Sequence, residues 1–358
     1  MPPRPKVVVA GAGFAGLRVA QRLQDHADVT LVCPSERFVY LPLIHEVLSD
    51  HVGATEVTRL LEDVVPKVRH VRGRAAAVEG KELVTASGER FPFDALVVAI
   101  GAGVNDFGVP GVAENALSFY SVGDALRANA ELKVAAAAAA DRHEPVRVAV
   151  VGAGFTGVEV AGETAFLLDG LGVERQVTLL DALPDIFPRQ SPAFREGIRE
   201  GLKRLDLDLR THQKIIRVDP DGPVVAKEGT EGEKIQADVT FWCAGIKPKN
   251  LPGVDPNVRP TLQSVARDDI YLCGDAARFP REMGVPALAQ TAEQQAPIVA
   301  HNILHPEDKK SYAANVKGII VSVGPKFAVA EIGGAGVFTG VVPWHIKRNL
   351  YKAKIALA

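Results

Sequence analysis

The sequence predicts an α/β fold in which one parallel-sheet unit is built twice. Each copy carries an inserted β-meander, and a short C-terminal α+β region follows. Three observations predict this. The stretch Lys6-Val-Val-Val-Ala-Gly11-Ala-Gly13-Phe-Ala-Gly16-Leu-Arg-Val-Ala20 returns as Arg147-Val-Ala-Val-Val-Gly152-Ala-Gly154-Phe-Thr-Gly157-Val-Glu-Val-Ala161, identical at nine of fifteen positions. The strand that follows also repeats, Val29-Thr-Leu-Val-Cys33 against Val177-Thr-Leu-Leu-Asp181. Each copy then runs through a meander into an Asp-x6-Gly segment, Asp94 to Gly101 and Asp238 to Gly245.

An apolar run, GxGxxG and a helix-like stretch together make a dinucleotide fingerprint. The first glycine permits a tight strand-to-helix turn. The second lets a pyrophosphate approach the backbone, and the third lets helix and strand pack closely. The helix N-terminus then offers free N–H groups and a positive dipole end. Two copies imply two Rossmann-like domains holding two dinucleotides, an arrangement suited to passing electrons between them. A carboxylate at the end of the second strand bonds the adenosine ribose. Asp181 supplies it in copy two, and with no Arg or Lys in Ala182-Leu183-Pro184-Asp185 it favours NADH over NADPH. Copy one has Cys33 there, with Glu36 three residues on as a substitute.

The elements follow in order. Strand Val7–Ala10, a helix from about Gly13 to Asp25 and strand Val29–Val32 open the first domain. Residues 66–92 read as a meander, with turns at Glu79-Gly80 and Ser87-Gly88. Leu126–Asp141 contains Ala135–Ala140 and reads as a helix on alanine's propensity. Asp141-Arg-His-Glu-Pro145 links to the second fingerprint. A second meander fills about 208–236, with its turn at Asp219-Pro-Asp-Gly222. Ile270-Tyr-Leu-Cys-Gly274-Asp275 reads as one more strand entering a helix. A further helix starts near Ala289-Gln290, and residues 311–342 alternate as strands. The domains expected are 1–112 with 236–308, then 113–235, then 309–358.

Composition sets limits. With 358 residues, two or three domains are expected. A net charge of −2 gives no reason to expect nucleic acid. Cys33, Cys243 and Cys273 are widely spaced, without CxxC or zinc spacing, which fits a reducing compartment. No stretch reaches the roughly 18–20 apolar residues of a spanning helix. Met1-Pro-Pro-Arg-Pro-Lys6 reads as a short tail rather than a leader, because glycines interrupt the apolar run behind it. His301 and His305 are four apart but read as a surface pair, and no metal site is expected. No histidine is read as a catalytic base.

The ordered set of two fingerprints, two Asp-x6-Gly strands and a Gly274-Asp275 strand end resembles the two-dinucleotide flavoprotein reductases related to glutathione reductase. Three stretches narrow the resemblance to type II NADH:quinone oxidoreductases. Pro42-Leu43-Ile44-His45-Glu46-Val47 is similar to their Pro-Leu-Leu-Tyr-x-Val, and Ala289-Gln290-Thr291-Ala292-Glu293-Gln294 to their Ala-Gln-x-Ala-x-Gln. Gly340-Val-Val-Pro-Trp344 resembles their Gly-x-x-Ala-Trp. The resemblance implies FAD at Gly11, Gly13, Gly16, Glu36, Gly101, Asp275 and Ala289. It implies NADH at Gly152, Gly154, Gly157, Asp181 and Gly245. Glu159 is expected to orient the nicotinamide, and Gln290 and Gln294 to line the quinone site. The acceptor implied is a menaquinone or ubiquinone, without proton pumping. The chain ends soon after Trp344, which implies a shortened C-terminal membrane module.

Residues 343–358 carry Lys347, Arg348, Lys352 and Lys354 and no acid. On a helix, Ile346, Leu350, Ala353 and Leu357 form one apolar stripe, and Trp344, Tyr351 and Ile355 another, with bases between. One stripe is expected to pack on the body and the other to meet lipid, with the bases reaching anionic headgroups. The protein is thus expected in the cytoplasm, peripheral on the inner face of the cell membrane, with a homodimer left open. The alternatives are a reductase of a soluble ferredoxin-like acceptor, a redox-sensing flavoprotein, and a sulfide:quinone reductase-like protein. The last is disfavoured because the positions of its sulfur-carrying cysteines are empty here, and disulfide reductases need a CxxxxC pair that is absent from 33–50.

Overall fold

The computed structural model describes residues 3–356, and their side chains as far as Tyr351. The first parallel sheet runs, edge to edge, Ile270–Leu272, Ala95–Val98, Lys6–Ala10, Asp28–Cys33, Arg69–Arg72. The second runs Leu117–Ser118, Val239–Trp242, Val146–Val151, Arg175–Leu180, Asp208–Arg210. The two orders match position for position, as the internal repeat predicts. The aspartates of the repeat have one shared job. Asp94 accepts from the Lys6 amide at 2.8 Å, and Asp238 from the Arg147 amide at 2.8 Å. Each thereby satisfies an N–H near the start of its central strand.

The pairing corrects the expected domain boundary at 236. Val239–Trp242 is buried between Leu117–Ser118 and Val146–Val151, so it belongs to the second sheet and not the first. A central strand must satisfy its backbone on both sides, and only the second sheet has that vacancy. The chain leaves the first sheet after Gly101 and the second after Gly245. Its two crossings pair as an antiparallel ribbon, Ala102–Val104 with Ile246–Pro248. This ribbon ties the two units at the carboxyl ends of their central strands, where open α/β sheets bind ligands. Each unit also carries a three-stranded meander, 75–92 and 215–234, turning at Gly80, Gly88 and Gly222 with positive φ.

The helices obey local rules. Val122–Arg142 starts at Ser121, whose hydroxyl accepts from the Asp124 amide, and buries Ala125, Ala128, Leu132, Ala136 and Ala139 on one stripe. Pro192–Arg204 begins with Ser191 as cap and proline in its first turn. The C-terminal sheet, Gly318–Ser322, Ala328–Ile332 and Gly336–Gly340, is antiparallel and leads into the helix Val341–Ala356. It packs on helix Phe155–Gly170 at Gly162, where a Cβ would come within 2.3 Å of the Gly324 nitrogen. That close approach brings Ser322 over Glu159.

Candidate functional site

Both fingerprints fold into the same cradle. Gly11 and Gly152 have φ of +102° and +99°, and a Cβ would meet Ala99 O at 2.3 Å or Ala244 Cα at 2.5 Å. A Cβ on Gly16 would lie 2.0 Å from Gly11 O, and one on Gly157 1.8 Å from Gly152 O. A Cβ on Gly13 or Gly154 would meet no other part of the fold within 4 Å, the open approach a pyrophosphate needs. Neither helix has a side-chain cap at Gly13 or Gly154, so its first N–H groups stay available to an anion. Each site therefore fits the pyrophosphate of a dinucleotide.

The strand ends differ as the sequence suggests. Asp181 accepts from the Ala153 amide at 2.7 Å and the Leu183 amide at 2.8 Å, which fixes the carboxylate against the glycine loop. In copy one, the Cys33 thiol donates to Ser35 O and lies 3.2 Å from His70 Nε2. Glu36 is exposed in an ion pair with Arg72 at 3.4 Å, so it does not reproduce what Asp181 does.

Three expected flavin-site segments converge on the first cradle. Gly274, with φ +64°, sits against Ala15 and Ala292, bringing Asp275 beside the starts of helices Phe14–Leu23 and Ala289–Leu304. Gln295 accepts from the Gly274 amide at 2.6 Å. Tyr120 donates to Asp275 at 3.4 Å and lies next to Gly101. Burial pushes the Asp275 carboxyl up. Tyr120 carries no motif and was invisible to sequence reasoning.

A buried polar cluster stands at the first turns of the second cradle's helix. Glu159 Oε1 pairs with Lys347 Nζ and accepts from the Ser322 amide at 3.4 Å. Its Oε2 lies 3.4 Å from His45 Nδ1. Lys347 Nζ also reaches Ser322 Oγ at 2.6 Å and His45 Nε2 at 3.3 Å, and His45 Nε2 lies 3.1 Å from Ser322 Oγ. Lys347 is 1% exposed and His45 2%. One helical turn on, Ser49 donates to Glu163 at 2.5 Å, and His51 Nδ1 stands 3.9 Å away. Arg348 pairs with buried Glu46 at 3.3 Å, and Tyr351 packs on Tyr40 with centroids 5.1 Å apart. Burial dominates the ionisations. It holds His45 well below the ordinary imidazole range, helped by the Lys347 charge. It pushes Glu159 up against the pull of Lys347, and Glu163 up to about 8.

This cluster overturns part of the expected C-terminal surface. Lys347 and Arg348 do not reach outward to headgroups. Both point into the body, because buried Glu159 and Glu46 need cations there. The stripes sort themselves accordingly. Trp344 is buried, stacked on His51, and Tyr351 faces Tyr40, whereas Ile346 and Leu350 are each 47% exposed. With Phe338, Val341 and Val342 they form the outward apolar face. The side chains of Lys352, Ala353, Lys354 and Ile355, and Leu357 itself, lie outside those described. His45 and His51, read from sequence as unremarkable, belong to the cluster, and only the residues gathered around them reveal it.

Gln290 and Gln294, expected at the quinone site, both bond neighbouring backbone. Gln290 donates to Gly318 O at 2.9 Å and accepts from the Lys317 amide at 3.1 Å. Gln294 does the same with Asn315, at 2.7 and 3.1 Å. Both amides thus clamp residues 315–318 onto helix Ala289–Leu304. The thiols are separate, Cys33 and Cys273 buried and Cys243 half-buried; desolvation pushes Cys33 up to about 11, and Cys243 and Cys273 up to about 12. His301 packs on His305, centroids 4.6 Å apart, and contacts Asp308 O at 2.7 Å.

Residues 5–296 match the pyridine nucleotide-disulphide oxidoreductase family. The chain belongs to that family. At family level it is an oxidoreductase working with flavin and NAD(P)H. It is similar to the type II NADH:quinone oxidoreductase Ndh of Mycobacterium tuberculosis, 28% identical over 396 residues, covering 98% of this chain and 84% of that protein. It is 29% identical over 385 residues to the type II enzyme of Haemophilus influenzae, covering 88% and 84%. Among solved structures, NDH2 of Plasmodium falciparum in complex with NADH superposes with a TM-score of 0.89 at 16% identity, covering 99% and 96%. The sulfide:quinone oxidoreductase of Aquifex aeolicus superposes at 0.84 and 19%, covering 98% and 90%. These two structures speak to the fold. Among the described residues, no helix is long and apolar enough to cross a membrane.

Proposed function

We propose that the protein is an FAD-dependent NADH dehydrogenase that passes two electrons to a quinone without pumping protons. The observation that carries this reading is the buried Glu159–Lys347–His45 cluster. It stands on the helix that opens the NADH cradle and is closed by the C-terminal helix. The glycine loops at Gly11–Gly16 and Gly152–Gly157 hold the two pyrophosphates, and Asp181 selects the unphosphorylated adenosine ribose. FAD, when bound, supplies a carrier that accepts hydride and releases electrons. The protein's own task is to bring the rings together, exclude water and manage protons. Glu159 orients the nicotinamide end. Lys347 offers a proton in a site sealed by Trp344 and Tyr351. The outward face of Val341, Val342, Ile346 and Leu350 suits a peripheral position on the inner face of the cell membrane, where a lipid-soluble menaquinone or ubiquinone is found.

The sulfide-oxidising reading is disfavoured by the three thiols, which stand apart from one another. The test is anaerobic mixing of purified protein with NADH, then with a short-chain quinone. Rapid flavin bleaching followed by rapid quinone reoxidation is expected. Bleaching with reoxidation only by a ferredoxin-like protein would move the assignment to a soluble acceptor. A slow, persistent charge-transfer band would make the protein a sensor.

A further inference from the structure

We infer that Tyr120 is a flavin-positioning residue: the second unit delivers its phenol into the first cradle, where it orients the Asp275 carboxylate for the ribityl hydroxyls of FAD. This rests on the reading above that the first cradle holds FAD. Local structure aims the side chain. Leu117–Ser118 is an edge strand of the second sheet, paired with Val239–Trp242. The chain then turns into helix Val122–Arg142, and Asp124 in its first turn ties that turn down. The Asp124 Oδ2 accepts from the Tyr120 amide at 2.8 Å, and its Oδ1 accepts from the Ser118 hydroxyl at 3.3 Å. Its own amide donates to Ser121 Oγ at 3.0 Å. Phe119 turns inward and packs on Phe241, centroids 6.4 Å apart. Tyr120 leaves its own unit. Its hydroxyl donates to Asp275 Oδ2 at 3.4 Å and lies 3.8 Å from where a Cβ on Gly101 would stand.

Asp275 is held from two sides. The first unit fixes its backbone: Gly274 has φ +64° and sits against Ala15 and Ala292, and its amide donates to Gln295. The second unit fixes its side chain through Tyr120. Among the described residues, no other hydrogen bond reaches the Asp275 carboxylate. With Oδ2 engaged by the phenol, Oδ1 is left to accept from a ligand. A ribityl chain is a run of hydroxyls, donors that need acceptors once water is excluded.

The protonation states agree with these roles. Burial pushes the phenol up to about 12, helped by the Asp275 charge, so at neutral pH it is a donor. Burial also pushes the Asp275 carboxyl up toward the neutral acid, and the bond from Tyr120 opposes that push. An ionised carboxylate accepts at both oxygens, whereas the acid commits one of them to its own proton. A phenylalanine at 120 would fill the same space, leave the carboxylate free to turn, and remove the donor that favours its charged form.

The test is a double-mutant cycle read by cofactor release. Holoenzyme is diluted, and the rise in flavin fluorescence as FAD leaves gives its Kd. Tyr120→Phe should weaken FAD binding about tenfold, because a hydrogen bond to a charged group is lost. Asp275→Ala removes the acceptor. If the phenol acts through that carboxylate, adding Y120F to D275A should change the Kd by less than about twofold, whereas a packing role would weaken both backgrounds alike. An equal Kd in Y120F and wild type would overturn the proposal, and so would the full tenfold loss in the D275A background. If D275A does not retain flavin, the comparison moves to the ligand. ADP carries the adenosine and pyrophosphate without the ribityl chain, and its competition against FAD reports its affinity for the first cradle. That affinity should be the same in Y120F and wild type, and a loss matching that of FAD would overturn the proposal. Wild type that binds no FAD would instead sink the reading of the first cradle.

Discussion

Replacing Lys347 by methionine probes the ion pair on which the closed site depends. Lys347 is 1% exposed, and the Glu159 side chain is 13% exposed. Methionine keeps most of the volume and removes the charge. Two unit charges about 3 Å apart at an effective dielectric near 20 attract by roughly 5–6 kcal/mol, and their desolvation offsets much of that. Removing one partner forfeits the attraction and keeps the other's desolvation, so Lys347→Met should cost about 3–5 kcal/mol. Ser322 and His45 also lose a donor. The double variant Lys347→Met with Glu159→Gln should recover most of the loss, because no buried charge is stranded. Urea unfolding followed by far-UV circular dichroism measures the energies. Amide exchange across 341–351 localises them, since the terminal helix opens first when its anchor goes. A single-variant loss below about 1 kcal/mol, or additivity in the double variant, would refute a buried ion pair as the anchor.

Glu163 gives a pH prediction. Its carboxyl is pushed from 4.5 up to about 8, chiefly by burial, so between those values the folded state binds more protons than the unfolded chain. Stability therefore falls as pH rises through that window, and Glu163→Gln should flatten the fall by a few kcal/mol, roughly, at pH 8; an unchanged slope argues against a protonated Glu163. Gly16→Ala should yield colourless protein, while Gly157→Ala should keep its flavin and lose reduction by NADH, both scored by absorbance. Asp181→Ala should raise KM for NADH about tenfold, or about 1.4 kcal/mol, with little change in flavin content; an unaltered KM removes Asp181 from the ribose site. Ile346→Glu with Leu350→Glu should cut co-sedimentation with anionic liposomes while leaving reduction of a water-soluble quinone intact, and full retention on liposomes would exclude that face as the docking surface.

Much of the fold can be read from the sequence because its signals are local or repeated. The glycine spacings demand one turn geometry, and Gly11 and Gly152 adopt matching positive φ. The Asp-x6-Gly repeat anticipates the matching strand orders, though not that Val239–Trp242 closes the second sheet, because pairing partners are set by distant backbone. Glutamines at Gln290 and Gln294 suggest a ligand surface, yet their amides meet the backbone of 315–318, a contact that no spacing encodes.

The sequence alone determined two nucleotide cradles, their order, and the carboxylate that distinguishes the second from the first. These depend on residues close together along the chain, where steric rules act directly. Only the tertiary structure decided where the charges of the C-terminal helix go. Amphipathic periodicity says that a helix has two faces and not which one is buried. Lys347 turns inward because Glu159, His45 and Ser322, from three distant segments, meet behind it, and a cation is what that enclosure requires.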